Sequence, residues 1–344
     1  MRSEHHVEAV TDATFTLAAG ECLALVGESG CGKSVLASAL LGLLPGNAET
    51  AGSARLADGL DLLAADEATL ARTIRGRRVA LVPQSPAAHL TPVRTVRSHL
   101  EETVRELTEQ AALSEPSGPS EAPEASGLSG LSGLFGLSKP SGPFGFSGAR
   151  LLGTGRRARR ARLRAAAETA AARAAFPASH LDRHPHELSS GLAQRAATAL
   201  ALVGDAPLLL ADEPTTGLDR DLVHRTVDEL RAHTRAAGRA LLLITHDLAA
   251  AERIADTIAV MYAGRIVETA PADAFFGPSG PRHPYARGLL DALPERAFAP
   301  IPGAPPELGA LPPGCAFAAR CARADATCRT RRPPLTEGVA CHHA

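Results

Sequence analysis

Short apolar runs that end in polar or glycine-rich segments are the clearest pattern along this chain. Four such runs predict buried strands of the type found in parallel sheets. They are residues 22–26, 78–82, 208–211 and 241–245. A helical pattern over residues 35–44 follows the first run, and helical and strand patterns alternate again from about residue 165. This alternation predicts an α/β fold with a mostly parallel core sheet.

The composition changes along the chain and divides it into parts. Serine, glycine and proline dominate residues 114–148, a low-complexity composition that does not support a packed core. Proline and glycine become frequent again from residue 271. We therefore predict a core domain over residues 1–270 and a C-terminal extension over residues 271–344. The core would contain a helical subdomain at about 86–205, interrupted by a surface insertion at about 114–160.

Charge and hydropathy argue against several classes of protein. The net charge is −1, so the molecule as a whole lacks the positive charge typical of nucleic-acid binding. No apolar stretch is long enough to span a membrane, and the N-terminus has no apolar signal segment, so we expect a cytosolic protein. Six arginines between residues 156 and 164 predict a solvated helix face. Contact of these arginines with anionic lipid or another protein is the alternative.

Residues 27–34 read GESGCGKS and fit the phosphate-binding pattern G-x-x-x-x-G-K-S. Lys33 is one of only two lysines in an arginine-rich chain, and a compact ammonium fits under a tight loop where a planar guanidinium would not. The glycines allow sharp turns that direct backbone N–H groups at phosphate oxygens, and Ser34 offers a hydroxyl to Mg²⁺. The predicted strand and helix on either side supply the required context. The expected phosphate-binding residues are Gly27, Glu28, Ser29, Gly30, Cys31, Gly32, Lys33 and Ser34.

Two adjacent carboxylates end the third apolar run, within the segment LLLADEPTTGLD. The carboxyl edge of a parallel sheet is where ligands bind in α/β folds. Asp212 can hold Mg²⁺ there through water, and Glu213 can orient and deprotonate an attacking water. His246 follows the next strand and can reach a γ-phosphate or the water. Gln84, after the second strand, can touch both Mg²⁺ and water.

The segment HELSSGLAQR at residues 186–195 completes a set of motifs. Ser189 and Gly191 there offer a hydroxyl and backbone donors at the start of a predicted helix, which is another anion-binding geometry. With GESGCGKS, VPQ, LSSGLAQR, LLLADEPTTGLD and THD in this order, the chain resembles the ATP-binding subunits of ABC transporters. The resemblance implies a P-loop nucleotide-binding domain with a mostly parallel core sheet and antiparallel β and α-helical subdomains.

The resemblance also implies roles for individual residues. Two such subunits would sandwich two ATP molecules, so that the P-loop of one faces the LSSGLAQR segment of the other. It assigns phosphate and Mg²⁺ binding to Lys33 and Ser34, Mg²⁺ to Gln84 and Asp212, the general base to Glu213 and γ-phosphate contact to His246. Asp219 matches the loop at the dimer interface. The residues acting on the partner's ATP would be Leu188, Ser189, Ser190, Gly191 and Gln194.

One position departs from the pattern of that family. Ser190 stands where the family segment usually has glycine, and its Cβ restricts the backbone next to the partner's γ-phosphate. We therefore hypothesise that the composite ATP site completed by this segment turns over slowly. A degenerate subunit that binds ATP for regulation is the corresponding alternative function.

The C-terminal segments HPYARGLL, IPGAPP and LPPGCAFAARCARADATC resemble the tail of the oligopeptide, dipeptide and nickel importer ATPases. The tail carries four cysteines, which are Cys315, Cys321, Cys328 and Cys341. Four thiolates can bind a [4Fe–4S] cluster or a tetrahedral Zn²⁺. No gap between them is as short as structural zinc sites usually require, so spacing and resemblance favour the cluster over zinc or unligated thiols. Arg320 and its neighbours would offset the cluster's negative charge or form an ordinary basic surface.

The sequence therefore predicts an ATPase that drives peptide import at the cytoplasmic face of the cell membrane. Expected cofactors are ATP and Mg²⁺, with the [4Fe–4S] cluster as a further possibility and zinc as its alternative. The resemblance implies two membrane permease subunits, a second ATPase subunit in a heterodimer and an extracytoplasmic substrate-binding protein, and no nucleic acid. Import of nickel or another small solute is the alternative cargo. A soluble ABC-type ATPase acting on nucleic acid or ribosomes is a third class, whose members usually have two nucleotide cores in one chain.

Overall fold

The computed structural model describes residues 7–114 and 155–344, and within these residues six strands form a single sheet. The strands are β1 (Cys22–Val26), β2 (Val79–Val82), β3 (Leu208–Asp212), β4 (Ala240–Thr245), β5 (Thr257–Tyr262) and β6 (Arg265–Pro271). Their order is β2-β3-β4-β1-β5-β6, and every neighbouring pair is parallel except β5 and β6. The predicted mostly parallel sheet is confirmed. Most of the predicted insertion at about 114–160 lies outside the described residues.

Helices of the described residues cover both faces of this sheet. The α-helices are α1 (Lys33–Leu40), α2 (Glu67–Thr69), α3 (Pro86–His89), α4 (Val96–Ser114), α5 (Arg156–Arg173), α6 (Ser190–Ala201), α7 (Arg220–Ala237), α8 (Leu248–Ile254), α9 (Ala272–Phe276), α10 (Pro284–Asp291) and α11 (Ala326–Thr330). A π-helical turn covers Leu70–Ile74, and 3₁₀ turns cover Ala178–His180, Pro185–Glu187 and Ala318–Arg320. Between β2 and β3, helices α4, α5 and α6 pack on one another. Every helix within the described ranges is too short or too polar to cross a bilayer.

The apolar runs predicted the strands well and the first helix less well. The four predicted strands each agree with an observed strand to within one residue at either end. The helix predicted over residues 35–44 is wrong at both ends, since α1 begins at Lys33 and ends at Leu40. Gly42 lies just beyond it with a φ of 62°, a left-handed conformation that commonly follows the last turn of a helix. Leu43 and Leu44 therefore continue the hydrophobic pattern outside the helix.

Side chains of β1 alternate between two hydrophobic clusters, one on each face of the sheet. Cys22, Ala24 and Val26 point into the cluster that includes the alanines of α5 and α6. Leu23 and Leu25 point into the cluster that includes Ala37 of α1. All five strand residues are fully buried, which explains why the run is hydrophobic without interruption.

The C-terminal extension packs on the end of the sheet through three aromatic rings. Tyr262 ends β5, Tyr285 lies in α10, and Phe317 comes just before the Ala318–Arg320 turn. The ring centroids of Tyr262 lie 4.4 Å from Tyr285 and 5.3 Å from Phe317, and those of Tyr285 and Phe317 are 5.4 Å apart. Tilted and edge-on rings at such distances attract one another in addition to the apolar area that they bury. The extension therefore packs against the core where β1 and β5 have their carboxyl ends.

A buried arginine joins α7 to the opposite edge of the sheet. The Arg231 guanidinium lies 2.5 Å from a carboxylate oxygen of Asp256 and donates to the backbone carbonyl of Gly20 at 3.2 Å. The other carboxylate oxygen of Asp256 accepts the backbone N–H of Cys22 at 2.8 Å. Asp256 thus links α7 to the start of β1, and the Arg231 side chain is only 9% exposed.

We predict that Asp256→Ala lowers the free energy of unfolding by about 2 kcal/mol, because it leaves a buried guanidinium without its counter-charge. Asp228→Ala is the matched control, since Asp228 pairs with Arg253 on the surface at 2.6 Å and such pairs contribute about 0–1 kcal/mol. Urea unfolding followed by circular dichroism measures both. Equal losses in the two variants would contradict the structural role of the Asp256 network.

Candidate functional site

The P-loop leaves the carboxyl end of β1 and leads directly into α1. Two of its glycines sit where no side chain fits. A Cβ on Gly27, whose φ is 155°, would lie 2.2 Å from the backbone oxygen of Met261, and one on Gly32, whose φ is 106°, would lie 2.3 Å from that of Ala9. Glycine at both positions lets the loop pass close to its surroundings. The loop therefore curls tightly around the N-terminus of α1, where free N–H groups favour an anion.

Lys33 is buried beneath this loop, with only 6% of the residue exposed. Its ammonium donates to the backbone oxygens of Gly27 at 2.8 Å and Glu28 at 3.1 Å. Among the described residues, no carboxylate forms an ion pair with it within 4.0 Å. Carbonyl dipoles compensate a buried positive charge only in part, so the site attracts a further anion.

Ser34 and Asp212 meet across the gap between α1 and β3. The Ser34 hydroxyl donates to a carboxylate oxygen of Asp212 at 3.0 Å. Burial raises the pKa of Asp212, and the neighbouring Glu213 raises it further, while the Ser34 hydrogen bond and Lys33 lower it. A hydroxyl and a carboxylate at this distance form an oxygen donor set of the kind that Mg²⁺ prefers. The structure therefore brings together Ser34 and Asp212, two of the three residues predicted to hold the ion.

Glu213 and His246 form a second contact at the same edge. The Glu213 carboxylate is 8% exposed and lies 2.8 Å from Nδ1 of His246, whose side chain is 58% exposed. Glu213 has a φ of 47°, and its backbone N–H donates to the carbonyl of Ile244 in β4 at 2.8 Å. A glutamate in the left-handed region is uncommon, and such strain concentrates at functional sites. The Glu213 oxygen that faces Nδ1 has no hydrogen-bond partner among the described residues, so this pair is a close contact rather than a hydrogen bond.

Gln84 lies two residues beyond the end of β2 and is exposed. Because β2, β3, β4 and β1 are parallel neighbours, their carboxyl ends meet at one edge of the sheet. Gln84, the Asp212–Glu213 pair, His246 and the P-loop therefore occupy that edge in the order of the strands. This is the position at which parallel sheets bind ligands.

The LSSGLAQR segment lies at the start of α6. Ser189 is the N-cap residue, and its hydroxyl accepts the Leu192 N–H at 3.4 Å. Ser190 is the first helical residue and is exposed, as Ser189 is, while Leu188 is half-buried. In the part of the chain that the structure describes, no hydrogen bond or ion pair joins residues 188–194 to residues 27–34.

Three other residues predicted to act at an interface lie in or near the first turns of α6 and α7. Gly191 is buried, and a Cβ there would lie 3.0 Å from a methyl group of Leu222. Asp219 is exposed and caps α7 by accepting the Leu222 N–H at 3.0 Å. Gln194 is buried, and its side-chain nitrogen has no partner among the described atoms. Gly191 therefore sets how closely α6 approaches the start of α7.

The four tail cysteines cluster in the structure. The Cys315 N–H donates to the carbonyl of Cys328 at 2.7 Å, so the two segments are in contact. Burial raises the pKa of Cys315, and the nearby thiols of Cys328, Cys341 and Cys321 raise it further. The other three thiols therefore lie near Cys315, but among the described residues no three of the four sulfur atoms lie within 4.8 Å of one another. The Cys328 thiol also belongs to a set with Asp325 and His343, whose ligand atoms all lie within 4.8 Å of one another.

The sequence analysis did not foresee one contact in this region. Arg320 of the extension forms an ion pair with Glu28 of the P-loop at 2.7 Å. The sequence motifs include both residues, Glu28 within the P-loop and Arg320 beside the cysteines. They are 292 positions apart, and no local spacing rule connects residues at that separation.

A strand–loop–helix phosphate cradle with paired carboxylates at the sheet edge defines a P-loop nucleotide-binding protein. A protein-family model described as "ABC transporter" matches residues 10–216, and one described as "Oligopeptide/dipeptide transporter, C-terminal region" matches residues 267–328. The chain belongs to the ABC transporter family. This confirms the resemblance to the ATP-binding subunits of ABC transporters that the sequence motifs indicate.

Relatives support this assignment over nearly the whole chain. The oligopeptide transport ATP-binding protein OppD of Mycobacterium tuberculosis is 36% identical over 344 residues, which cover 98% of this chain and 48% of that protein. This chain thus spans about half the length of the mycobacterial relative. The dipeptide transport ATP-binding protein DppD of Bacillus subtilis is 32% identical, with 96% of this chain and 86% of that protein covered.

A solved structure supports the fold independently. The bacterial ABC transporter cassette MJ0796, determined as a dimer, superposes with a TM-score of 0.56. The superposed region covers 77% of this chain and 90% of the cassette, and the sequence identity is 20%. At that identity the match shows the fold alone, and it agrees with the predicted nucleotide-binding domain.

We predict that Asp212→Asn stabilises the nucleotide-free protein in a pH-dependent way. The folded pKa of Asp212 is raised above its ordinary value of 3.8, so the folded state binds the proton more tightly than the unfolded state. Its ionisation therefore costs stability as the pH rises through the folded pKa. The asparagine variant should gain on the order of 1 kcal/mol at about pH 8 and less at about pH 4, close to the ordinary pKa of 3.8.

Thermal and urea unfolding at the two pH values measure this difference. Asp221→Asn is the control, because Asp221 is an exposed acid at the start of α7. If Asp212→Asn is less stable than the wild type at both pH values, the carboxylate contributes to the stability of the fold. That result would contradict the prediction that burying the ionised carboxylate destabilises the folded state.

Proposed function

We propose that this chain is the ATP-hydrolysing subunit of an ABC importer that takes up peptides. One observation carries the proposal: the buried Lys33 cradle, the Ser34–Asp212 pair and the Glu213–His246 pair converge on one sheet edge. This set contains a phosphate site, a Mg²⁺ site and a base. Peptide is the favoured cargo because relatives over most of the chain are named as oligopeptide and dipeptide transport proteins.

The P-loop would bind the β- and γ-phosphates of ATP. Backbone N–H groups at the start of α1 would donate to the phosphate oxygens, together with Lys33. The ammonium would exchange its contacts with the Gly27 and Glu28 carbonyls for contacts with phosphate. Ser34 and Asp212, with Gln84 beside them, would hold Mg²⁺, which neutralises phosphate charge when bound.

Glu213 would act as the general base. Water attacks the γ-phosphorus in line, a new P–O bond forms, and the bond to the β-phosphate oxygen breaks to release ADP and phosphate. The water proton passes to Glu213. His246, 2.8 Å from the Glu213 carboxylate, would orient the base and contact the γ-phosphate. Positioning and charge neutralisation supply most of the acceleration in such reactions.

A second ATPase subunit would complete each ATP site. Ser189 and Ser190 are exposed at the N-terminus of α6, and among the described residues they form no hydrogen bond with the P-loop of their own chain, which supports a role toward a partner's ATP. Leu188, Gly191 and Gln194 would support that surface, and Asp219 would face the dimer interface. Ser190 would slow the composite site that it completes, because it adds a Cβ next to the bound γ-phosphate.

The remaining assignments follow from this role. The subunit would sit at the cytoplasmic face of the cell membrane, bound to two permease subunits and served by an extracytoplasmic substrate-binding protein. The core over residues 1–270 would carry ATP chemistry, and the extension over residues 271–344 would carry the cysteines. Cys315, Cys321, Cys328 and Cys341 would ligate a [4Fe–4S] cluster, for which four thiolates are a fitting donor set.

We predict that Glu213→Gln lowers the ATPase rate of the assembled complex by about a hundredfold or more, because it removes the base. ATP binding should persist, since the phosphate contacts remain. Lys33→Ala should instead raise the dissociation constant for ATP at least about tenfold. Phosphate release and equilibrium binding measure the two effects separately.

Glu252→Gln is the matched control for this pair, because Glu252 is exposed on α8 and takes no part in the site. It should leave both rate and affinity unchanged. If the Glu213→Gln variant hydrolyses ATP at the wild-type rate, Glu213 is not the base. A wild-type chain with no affinity for ATP would exclude the proposed function altogether.

We predict that protein purified without oxygen contains about four irons and four sulfides per chain. Cys321→Ser and Cys341→Ser should each reduce the iron content strongly, because each removes one ligand. Cys22→Ala is the control, since Cys22 is buried in β1 and lies outside the cluster. Stoichiometric zinc without sulfide, or no metal at all, would contradict the cluster.

A further inference from the structure

In the part of the chain that the structure describes, the hydrogen bonds and ion pairs between the C-terminal extension and the P-loop all involve Glu28, through two separate groups. The Arg320 guanidinium binds both carboxylate oxygens of Glu28, at 2.7 and 2.9 Å. The backbone N–H of Glu28 donates to the hydroxyl of Tyr285 at 2.8 Å. The carboxylate and the backbone of the same loop residue are therefore both held by residues of the extension.

Arg320 is fixed in place on all sides. Its side chain is 4% exposed, donates to the carbonyl of Pro302 at 2.8 Å and lies 5.8 Å from the ring centroids of Tyr262 and Phe317. The paired Glu28 carboxylate raises the pKa of the guanidinium. A guanidinium held in this way cannot follow Glu28 if the loop moves, so the pair restrains the loop.

Glu28 is also one of three residues that accept from the Lys33 ammonium, together with Gly27 and the thiol of Cys31. Its carbonyl accepts from Lys33 at 3.1 Å. A carboxylate inside a phosphate cradle is electrostatically unfavourable, because it repels the phosphates that the loop binds. Arg320 neutralises that carboxylate and directs it away from the cradle toward the extension.

We propose that Arg320 and Tyr285 are positioning residues for nucleotide binding, which act on the P-loop through Glu28. Arg320 cancels the charge of Glu28, and Tyr285 fixes the Glu28 backbone that faces Lys33. This inference rests on the proposed function, because it concerns binding of ATP at the same P-loop. It gives the extension a direct part in the affinity for nucleotide, separate from any metal that its cysteines bind.

A double-mutant cycle on the full-length chain tests the electrostatic part. Arg320→Gln leaves the Glu28 charge uncompensated beside the triphosphate, so the dissociation constant for Mg–ATP should rise about tenfold. Adding Glu28→Gln to Arg320→Gln removes the repelling charge and should restore affinity to within about threefold of the wild type. Calorimetric titration measures the constants, and thermal unfolding of each variant is recorded alongside.

Two further variants separate position from charge. Tyr285→Phe removes only the acceptor for the Glu28 N–H and should raise the dissociation constant about threefold. Arg332→Gln is the matched control, because Arg332 is an exposed arginine of the same extension. It should leave the affinity for Mg–ATP unchanged.

The rescue by Glu28→Gln is the decisive result, because a merely structural role for Arg320 would not produce it. If the wild type and Arg320→Gln bind ATP with the same dissociation constant, this inference is wrong. The proposed function would then remain intact. Loss of affinity in Arg320→Gln that Glu28→Gln does not repair would also overturn it. Absence of ATP binding by the wild type would instead remove the proposed function on which it rests.

Discussion

The site depends on one buried positive charge. Lys33 lies beneath the P-loop with its ammonium held by the carbonyls of Gly27 and Glu28. Backbone carbonyls carry no net charge, so the loop retains an excess of positive potential, to which the N-terminus of α1 adds. A closely fitting anion is the group that can balance this charge. The tight glycine loop, the carboxylates opposite it and the contacts of the extension all bear on that balance.

The parallel sheet determines which residues surround this charge. Because β2, β3, β4 and β1 end at the same edge, residues far apart in sequence meet beside the cradle. Asp212 reaches Ser34, and Glu213 reaches His246 from the neighbouring strand. The left-handed backbone at Glu213 turns its carboxylate toward that edge, and its N–H bond to Ile244 holds the turn. The sheet therefore positions the proposed base and the proposed metal ligands with little freedom.

Much of this could be predicted from the sequence, for physical reasons. Strands buried on both faces are hydrophobic without interruption, which made β1 and β3 recognisable. The motif residues at their ends have fixed offsets from those strands, so the position of Asp212 and Glu213 followed. The end of α1 at Leu40 could not be predicted, because the hydrophobic pattern continues to Leu44. The left-handed conformation of Gly42, which follows the last turn of the helix, is visible only in the structure.

Contacts between distant segments were beyond the reach of local patterns. The Arg320–Glu28 pair depends on how the extension folds back across β5, and neither residue's neighbours in sequence reveal its partner. The aromatic packing of Tyr262 with Tyr285 is hidden for the same reason. Such contacts are set by tertiary packing, whereas periodicity and motif spacing report only local structure.

The most direct test of the account is an experimental structure of the Glu213→Gln variant with Mg–ATP. The account predicts that the β- and γ-phosphates lie within hydrogen-bonding distance of the P-loop N–H groups. Lys33 should have left the carbonyls of Gly27 and Glu28 to contact the phosphates. A nucleotide bound elsewhere, or one bound with Lys33 still directed at both carbonyls, would contradict the account.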